Sequence, residues 1–280
     1  MPLTSGLPPP PPPLPLTVID AHTHLDACGA TDPAGVRAAL DRAEAVGVAA
    51  VVTVADDMAS ARWVVQAASW DDRVFAAVAL HPTRTAAMTD DDRAELERLA
   101  LAPRVVAVGE TGLDYYWDYS PPEAQQEAYR WHIDLAKRVG KPLVIHDRDA
   151  HVDVLAVLDQ EKPPPTVVFH CFSGDAAMAR ACVDAGYVLS FSGTVTFRNA
   201  HALREAATLV PDGQLLVETD APFLTPHPYR GRANEPVNLP YTVRDLAALR
   251  GQDEAELAAS VSATAERVFG FSATDTAERF

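Results

Sequence analysis

The chain is poor in cysteine and in cations, and it contains no long apolar run. Its three cysteines, Cys28, Cys171 and Cys182, are scattered through 280 residues with no CxxC pair. Such a set excludes a disulfide framework and a cysteine-built zinc site, and it fits a reducing, cytoplasmic setting. Lysine and arginine number 23 against 39 aspartates and glutamates, a formal charge of −16. That balance excludes a protein that coats nucleic acid through general basicity, because such binding draws its affinity from cations set against phosphates. A local phosphate site stays open. No apolar stretch approaches the length of a membrane span, and the first residues lack the basic-then-apolar order of a secretory signal. At 48% hydrophobic and 22% charged residues the composition is that of a folded chain.

Proline is abundant at the N-terminus, where it fills eight of the first fifteen positions: Pro2, Pro8 to Pro13, and Pro15. The stretch has few N–H donors and favours an extended polyproline conformation, so it joins neither a helix nor a central strand. Residues 1–16 read as a proline-rich disordered tail outside the fold, and 17–280 as one domain.

Beyond the tail, β-branched runs recur at 17–20, 49–54, 74–80, 105–108, 142–145, 166–169, 187–191 and 215–217. Most are continuously apolar rather than alternating, as strands buried on both faces are. The segments between them carry helix signals. Asp32-Pro33 and Ser120-Pro121-Pro122 offer starts, and Gly140 a stop. Ala124, Ala128, Trp131, Leu135 and Val139 form an apolar stripe, and 253–269 reads as a final helix. Eight strand and helix units predict an α/β fold, a single (β/α)8 TIM barrel, with an open doubly wound sheet as the alternative.

The chemistry lies at the C-terminal ends of these strands. Strand one is followed by Asp20-Ala-His22-Thr-His24-Leu-Asp26, strand four by Glu110 and Asp114, strand five by His146, strand six by His170, and strand eight by Glu218-Thr-Asp220. Strand ends of a barrel open onto one face, so these residues converge. Both imidazoles of an extended His22-x-His24 point to one side. Four histidines and two carboxylates without thiolate suit Zn, Mn, Fe or Mg ions, and six side chains suit two divalent ions better than one.

These motifs, with Gly109-Glu-Thr-Gly-Leu-Asp-Tyr115, Ile145-His-Asp-Arg-Asp-Ala150, His170-Cys-Phe-Ser-Gly174, Glu218-Thr-Asp-Ala-Pro-Phe-Leu-Thr-Pro226 and Arg230-Gly-Arg-Ala-Asn-Glu-Pro236, resemble the TatD family of metal-dependent deoxyribonucleases. The resemblance spans nearly the whole chain after the proline tail. It implies that His22, His24 and Asp220 hold one metal ion, His146 and His170 the other, and that Glu110 bridges both. The chain departs from the family pattern at Ala79-Leu-His81-Pro82, where Gly-x-His-Pro is usual, at Thr111 in place of Ile, and at His132 in place of Gln.

Two divalent ions less Glu110, Asp220 and a bridging hydroxide leave about one positive charge for a phosphate. The expected reaction is therefore attack of that hydroxide on phosphorus, with Asp220 and Glu110 as the catalytic carboxylates. Arg84, Arg148, Arg198, Arg230 and Arg232 follow strands on the same face and match phosphate oxygens. Tyr115, Tyr116, Trp117 and Tyr119 could stack on splayed bases. His81, Arg148, Arg230 and Tyr115 are accordingly the expected substrate contacts. The expected partner is DNA, as single strands or frayed ends, acted on by a monomer with no membrane and no obligatory protein partner. The alternative is a barrel hydrolase of carboxylic esters or amides, for example an aminoacyl ester on a nucleic acid.

Overall fold

Strand and helix alternate through the chain in the computed structural model, which describes residues 6–272. The strands are β1 (Val18–Thr23), β2 (Val48–Val54), β3 (Val74–Val78), β4 (Val105–Asp114), β5 (Leu143–Arg148), β6 (Val167–Phe169), β7 (Val188–Phe191) and β8 (Leu215–Val217). They pair in parallel in sequence order. Between them run α1 (Pro33–Glu44), α2 (Met58–Ala67), α3 (Asp90–Ala100), α4 (Pro122–Val139), α5 (His151–Glu161), α6 (Ala176–Asp184) and α7 (His201–Leu209), and α8 (Leu239–Arg250) and α9 (Glu254–Phe269) follow β8. This is the TIM barrel that the spacing predicts.

The near-continuous apolar strands are explained by burial on both faces. Val18, Val51, Leu143, Val167 and Leu215 pack toward the helices, while their neighbours Ile19, Val52, Val144, Val168 and Leu216 form a second cluster that fills the barrel. The seam between β8 and β1 is closed by the residues after β8. Asp220 N donates to His22 O at 2.9 Å and His24 N to Ala221 O at 2.8 Å. The buried Asp20 carboxylate accepts from Thr219 N at 2.9 Å and Thr219 Oγ1 at 2.6 Å. The site motifs of strands one and eight are thereby also the closure of the barrel.

Three expectations change. Asp32 caps α1 as expected, accepting from Gly35 N at 2.8 Å, but α4 begins at Pro122 without a side-chain cap, and Ser120 Oγ instead accepts from Ala86 N. The buried face of α4 is Gln125, Ala128, Tyr129, His132, Ile133, Leu135 and Ala136. Ala124, Trp131 and Val139 lie at its flank, because two polar residues occupy the face that apolar periodicity seeks. The third change concerns the proline tail. Residues 1–5 of it lie outside the described residues, as do 273–280 of the expected domain, but from Pro8 onward it packs on the barrel. A polyproline helix has three residues per turn, so Pro8, Pro11 and Leu14 share one face, and all three are buried. Prolines lack N–H but keep carbonyls, and Tyr241 Oη donates to Pro9 O at 2.8 Å while Arg244 Nη2 donates to Pro12 O and Pro13 O at 2.9 and 3.0 Å.

Candidate metal centre

At the C-terminal end of the strands the six expected side chains meet around Glu110. Its two oxygens face different partners. Oε1 lies 3.6 Å from His22 Nε2 and 3.5 Å from His24 Nε2, and Asp220 Oδ1 lies 3.9 and 3.6 Å from those same nitrogens. Oε2 lies 2.6 Å from His170 Nε2 and 3.2 Å from His146 Nδ1, which are 3.3 Å apart. His22 stacks on His170 with ring centroids 3.9 Å apart, which brings the two halves together.

The outward nitrogens fix which lone pairs point inward. His24 Nδ1 donates to Val54 O at 3.0 Å, and a carbonyl can only accept, so the Nε2 lone pair faces the centre. His146 Nε2 donates to Asp114 Oδ2 at 2.9 Å, which leaves Nδ1 for the centre. Glu218 Oε1 lies 3.5 Å from His170 Nδ1, and its carboxylate is itself held by Cys171 N and Ser190 Oγ, each at 2.5 Å. His22 is wholly buried, and neither of its nitrogens has a hydrogen-bond partner among the described residues.

These residues fit divalent cations. Orphaned buried nitrogens are costly, and a cation is the partner that such lone pairs lack. Apart from the direct 2.6 Å contact of Glu110 Oε2 with His170 Nε2, the donors lie 3.2 to 3.9 Å apart, spaced as ligands around an ion whose bonds run about 2.0–2.2 Å. Protonation points the same way. Burial and the adjacent His170 lower the pKa of His22, which keeps it neutral. For Glu110, burial favours the acid, but His170 and His22 outweigh it and hold the carboxyl well below its usual range. For Asp220, burial is likewise outweighed, by His24, His170 and His22, and its pKa is lowered. Around His24, burial is overcome by Asp220, Asp56 and Glu110, which raise its pKa to about 10. The carboxylates draw positive charge to this point, and a divalent cation meets the same field while releasing that proton.

The other expected residues divide. His81 lies beside the centre, its ring 4.4 Å from that of His146. Its Nδ1 accepts from Thr83 N at 3.2 Å and contacts Thr83 Oγ1 at 2.6 Å, and burial followed by His146 lowers its pKa to about 3. Arg148 is exposed with its guanidinium 3.9 Å from the Tyr116 ring, and Arg230 is exposed 4.0 Å from the Phe197 ring. Arg84, Arg148, Arg198, Arg230 and Arg232 form no ion pair among the described residues, whereas exterior arginines such as Arg62, Arg73 and Arg130 are paired with Glu95, Asp71 and Glu161. Tyr115 departs from expectation. Its hydroxyl donates to Asp153 Oδ2 at 2.8 Å and accepts from Gln126 Nε2 at 3.0 Å, so it ties α4 to α5 rather than facing a substrate. The open aromatics are Tyr116, Trp117, Tyr119 and Phe223, the last 53% exposed with its ring 6.2 Å from His24.

Sequence reasoning gave no role to Asp114, Glu218 or His132. The first two are carboxylates at strand ends within quoted motifs, a readable signal. His132 is buried in α4, where Nε2 accepts from Leu80 N at 3.2 Å and Nδ1 contacts Thr111 Oγ1 at 3.0 Å. The two departures Thr111 and His132 are thus one contact, set between the neighbours of His81 and Glu110.

Residues 19–270 match the family model described as TatD related DNase. The chain belongs to the TatD family. It is a metal-dependent hydrolase of that family. It is 63% identical over 258 residues to an uncharacterized metal-dependent hydrolase TatD of Mycobacterium tuberculosis, covering 90% of this chain and 98% of that one. A Citrobacter rodentium protein described as a 3′-5′ ssDNA/RNA exonuclease TatD is 34% identical over 235 residues, covering 82% and 89%. The crystal structure of the TatD homologue YJJV from Escherichia coli K12 matches with a TM-score of 0.84 at 30% identity, covering 90% and 98%. The proline segment precedes the matched range.

Proposed function

We propose that this TatD protein hydrolyses phosphodiester bonds of DNA, at single strands or frayed ends, using two divalent ions. The observation that carries the reading is the division of Glu110, with Oε1 toward His22, His24 and Asp220 and Oε2 toward His146 and His170. One carboxylate shared by two donor sets suits a pair of ions with a common ligand. Imidazole and carboxylate accept Zn²⁺, Mn²⁺, Fe²⁺ or Mg²⁺. Such ions, when bound, acidify water and neutralise charge developing on phosphate oxygens.

The side chains supply the rest. Glu110 fixes the separation of the two donor sets. Asp220, ionised at neutral pH, orients the attacking water and takes its proton at the carboxylate. Thr83 N–H points at His81 Nδ1, so the proton of the neutral ring sits on Nε2, a donor for a phosphate oxygen. Arg148 and Arg230, free of ion pairs among the described residues, bind flanking phosphates, and Tyr116, Trp117 and Phe223 offer rings to unpaired bases. The description of the C. rodentium relative supports a single-stranded substrate. All six donors come from one chain, which supports a monomer needing no protein partner. No helix among the described residues is long and apolar enough to cross a membrane, and three free cysteines suit a reducing cytoplasm.

The test uses metal-loaded protein with end-labelled single-stranded DNA and, in parallel, an aminoacyl ester, each repeated with Glu110→Ala. The expected outcome is DNA cleavage that requires both metal and Glu110. Ester turnover with no DNA cleavage would transfer the site to carboxylic esters.

A further inference from the structure

The loop from β8 to α8 carries Arg230 and Arg232, and the proline segment reaches that loop from outside. Leu14 anchors the segment at the barrel floor, where its N donates to Val46 O at 3.0 Å. Gly47 makes room for it, since a Cβ there would lie 3.1 Å from Leu14 Cβ. From Leu14 to Pro9 a polyproline helix rises about 3.1 Å per residue, about 15 Å in all. Arg244, held also by Glu254 at 3.0 Å, grips Pro12 and Pro13 on the way. Pro9 then meets Tyr241, in the first turn of α8 at the mouth. The Tyr241 ring lies 5.2 Å from that of Tyr229 at 59°, and the Arg232 guanidinium lies 5.5 Å from the Tyr229 ring. Arg232 N also donates to Tyr229 O at 3.1 Å.

We propose that the docked polyproline segment, residues 8–14, is a brace that orients the arginine-bearing loop 226–236 for substrate phosphates, acting through Tyr241 and Tyr229 as positioning residues. This rests on the phosphodiester reading for its substrate, though not for its effect on the loop. A polyproline helix is stiff before it docks, so seating it costs little ordering entropy. A loop ordered in advance pays less of that cost on binding. The brace therefore acts on KM, while kcat, set at Glu110 and Asp220, stays unchanged.

The experiment takes the full-length chain with Pro8→Ser, Pro11→Ser and Leu14→Ser together, which unseats the buried face. Tyr241→Phe keeps the ring but loses the hydroxyl, and with it the hydrogen bond to Pro9. Two readouts are made on metal-loaded protein: hydrogen exchange of amides in 226–236, and KM and kcat on single-stranded DNA. Both variants are expected to exchange faster in that loop, and the triple variant to show KM raised about five-fold at constant kcat and metal content. Unaltered loop exchange in both variants overturns the brace whatever the substrate. Faster exchange with unaltered KM on DNA that is cleaved overturns its role in phosphate binding. Absence of DNA cleavage in the parent overturns the phosphodiester reading alone, and the exchange result still decides the brace.

Discussion

Two of the four central histidines have their outward nitrogen hydrogen-bonded, by Val54 O and Asp114, that of His170 lies 3.5 Å from Glu218 Oε1, and His22 has neither nitrogen partnered among the described residues. The residue types and their order were legible because strand ends converge in a barrel. The orientation of each ring was not, since a tautomer is set by a contact across the fold, as Asp114 sets that of His146. His132 is the extreme case, a buried imidazole that sequence periodicity leaves off the core face. Burial lowers its pKa from 6.5 to about 3. Below pH 6.5 the unfolded chain takes up a proton that the folded chain refuses, so this stability is complete above 6.5 and is lost as pH falls toward 3. The melting temperature of metal-free protein should therefore fall more steeply between pH 6.5 and about pH 4 than that of His132→Gln. Parallel curves would remove His132 from the account.

At the scale of elements, the ladder between β4 and β5 holds both Glu110 and His146 in place. Gly112, paired with His146, has φ +131°, and a Cβ there would lie 2.1 Å from His146 O. Gly112→Ala should thus push β5 away and cost at least about 2 kcal/mol of stability. Calorimetric metal titration should show weakened binding on the His146 side in the protein that remains folded. Unchanged melting and metal binding would contradict this view of the ladder. The strands were legible from their apolar runs and the first helix from Asp32-Pro33. Helix α8 was not, because its start at Leu239-Pro240 carries no capping side chain and comes after a loop rich in proline. The proline segment was misjudged for a related reason. Missing N–H groups exclude it from a ladder, but they do not prevent its carbonyls and every third side chain from docking.

For the whole molecule, the charge of −16 and a phosphate substrate are compatible because charge is arranged by face. Many exterior arginines, Arg62, Arg73 and Arg130 among them, are paired with acidic partners, while five at the mouth are free of ion pairs among the described residues. If those five meet phosphates of a single strand, the logarithm of Kd should rise with the logarithm of salt with a slope of up to about 3.5, at about 0.7 for each phosphate. Arg148→Ala should lower that slope by about 0.7. A slope near zero in the parent would contradict phosphate-led binding. The central claim, that Asp220 and Glu110 serve one hydrolytic centre, is tested most directly by metal analysis of Asp220→Asn beside its rate on end-labelled single-stranded DNA. The variant should keep most of its bound metal and lose about three orders of magnitude in rate. Full activity in Asp220→Asn would contradict the account.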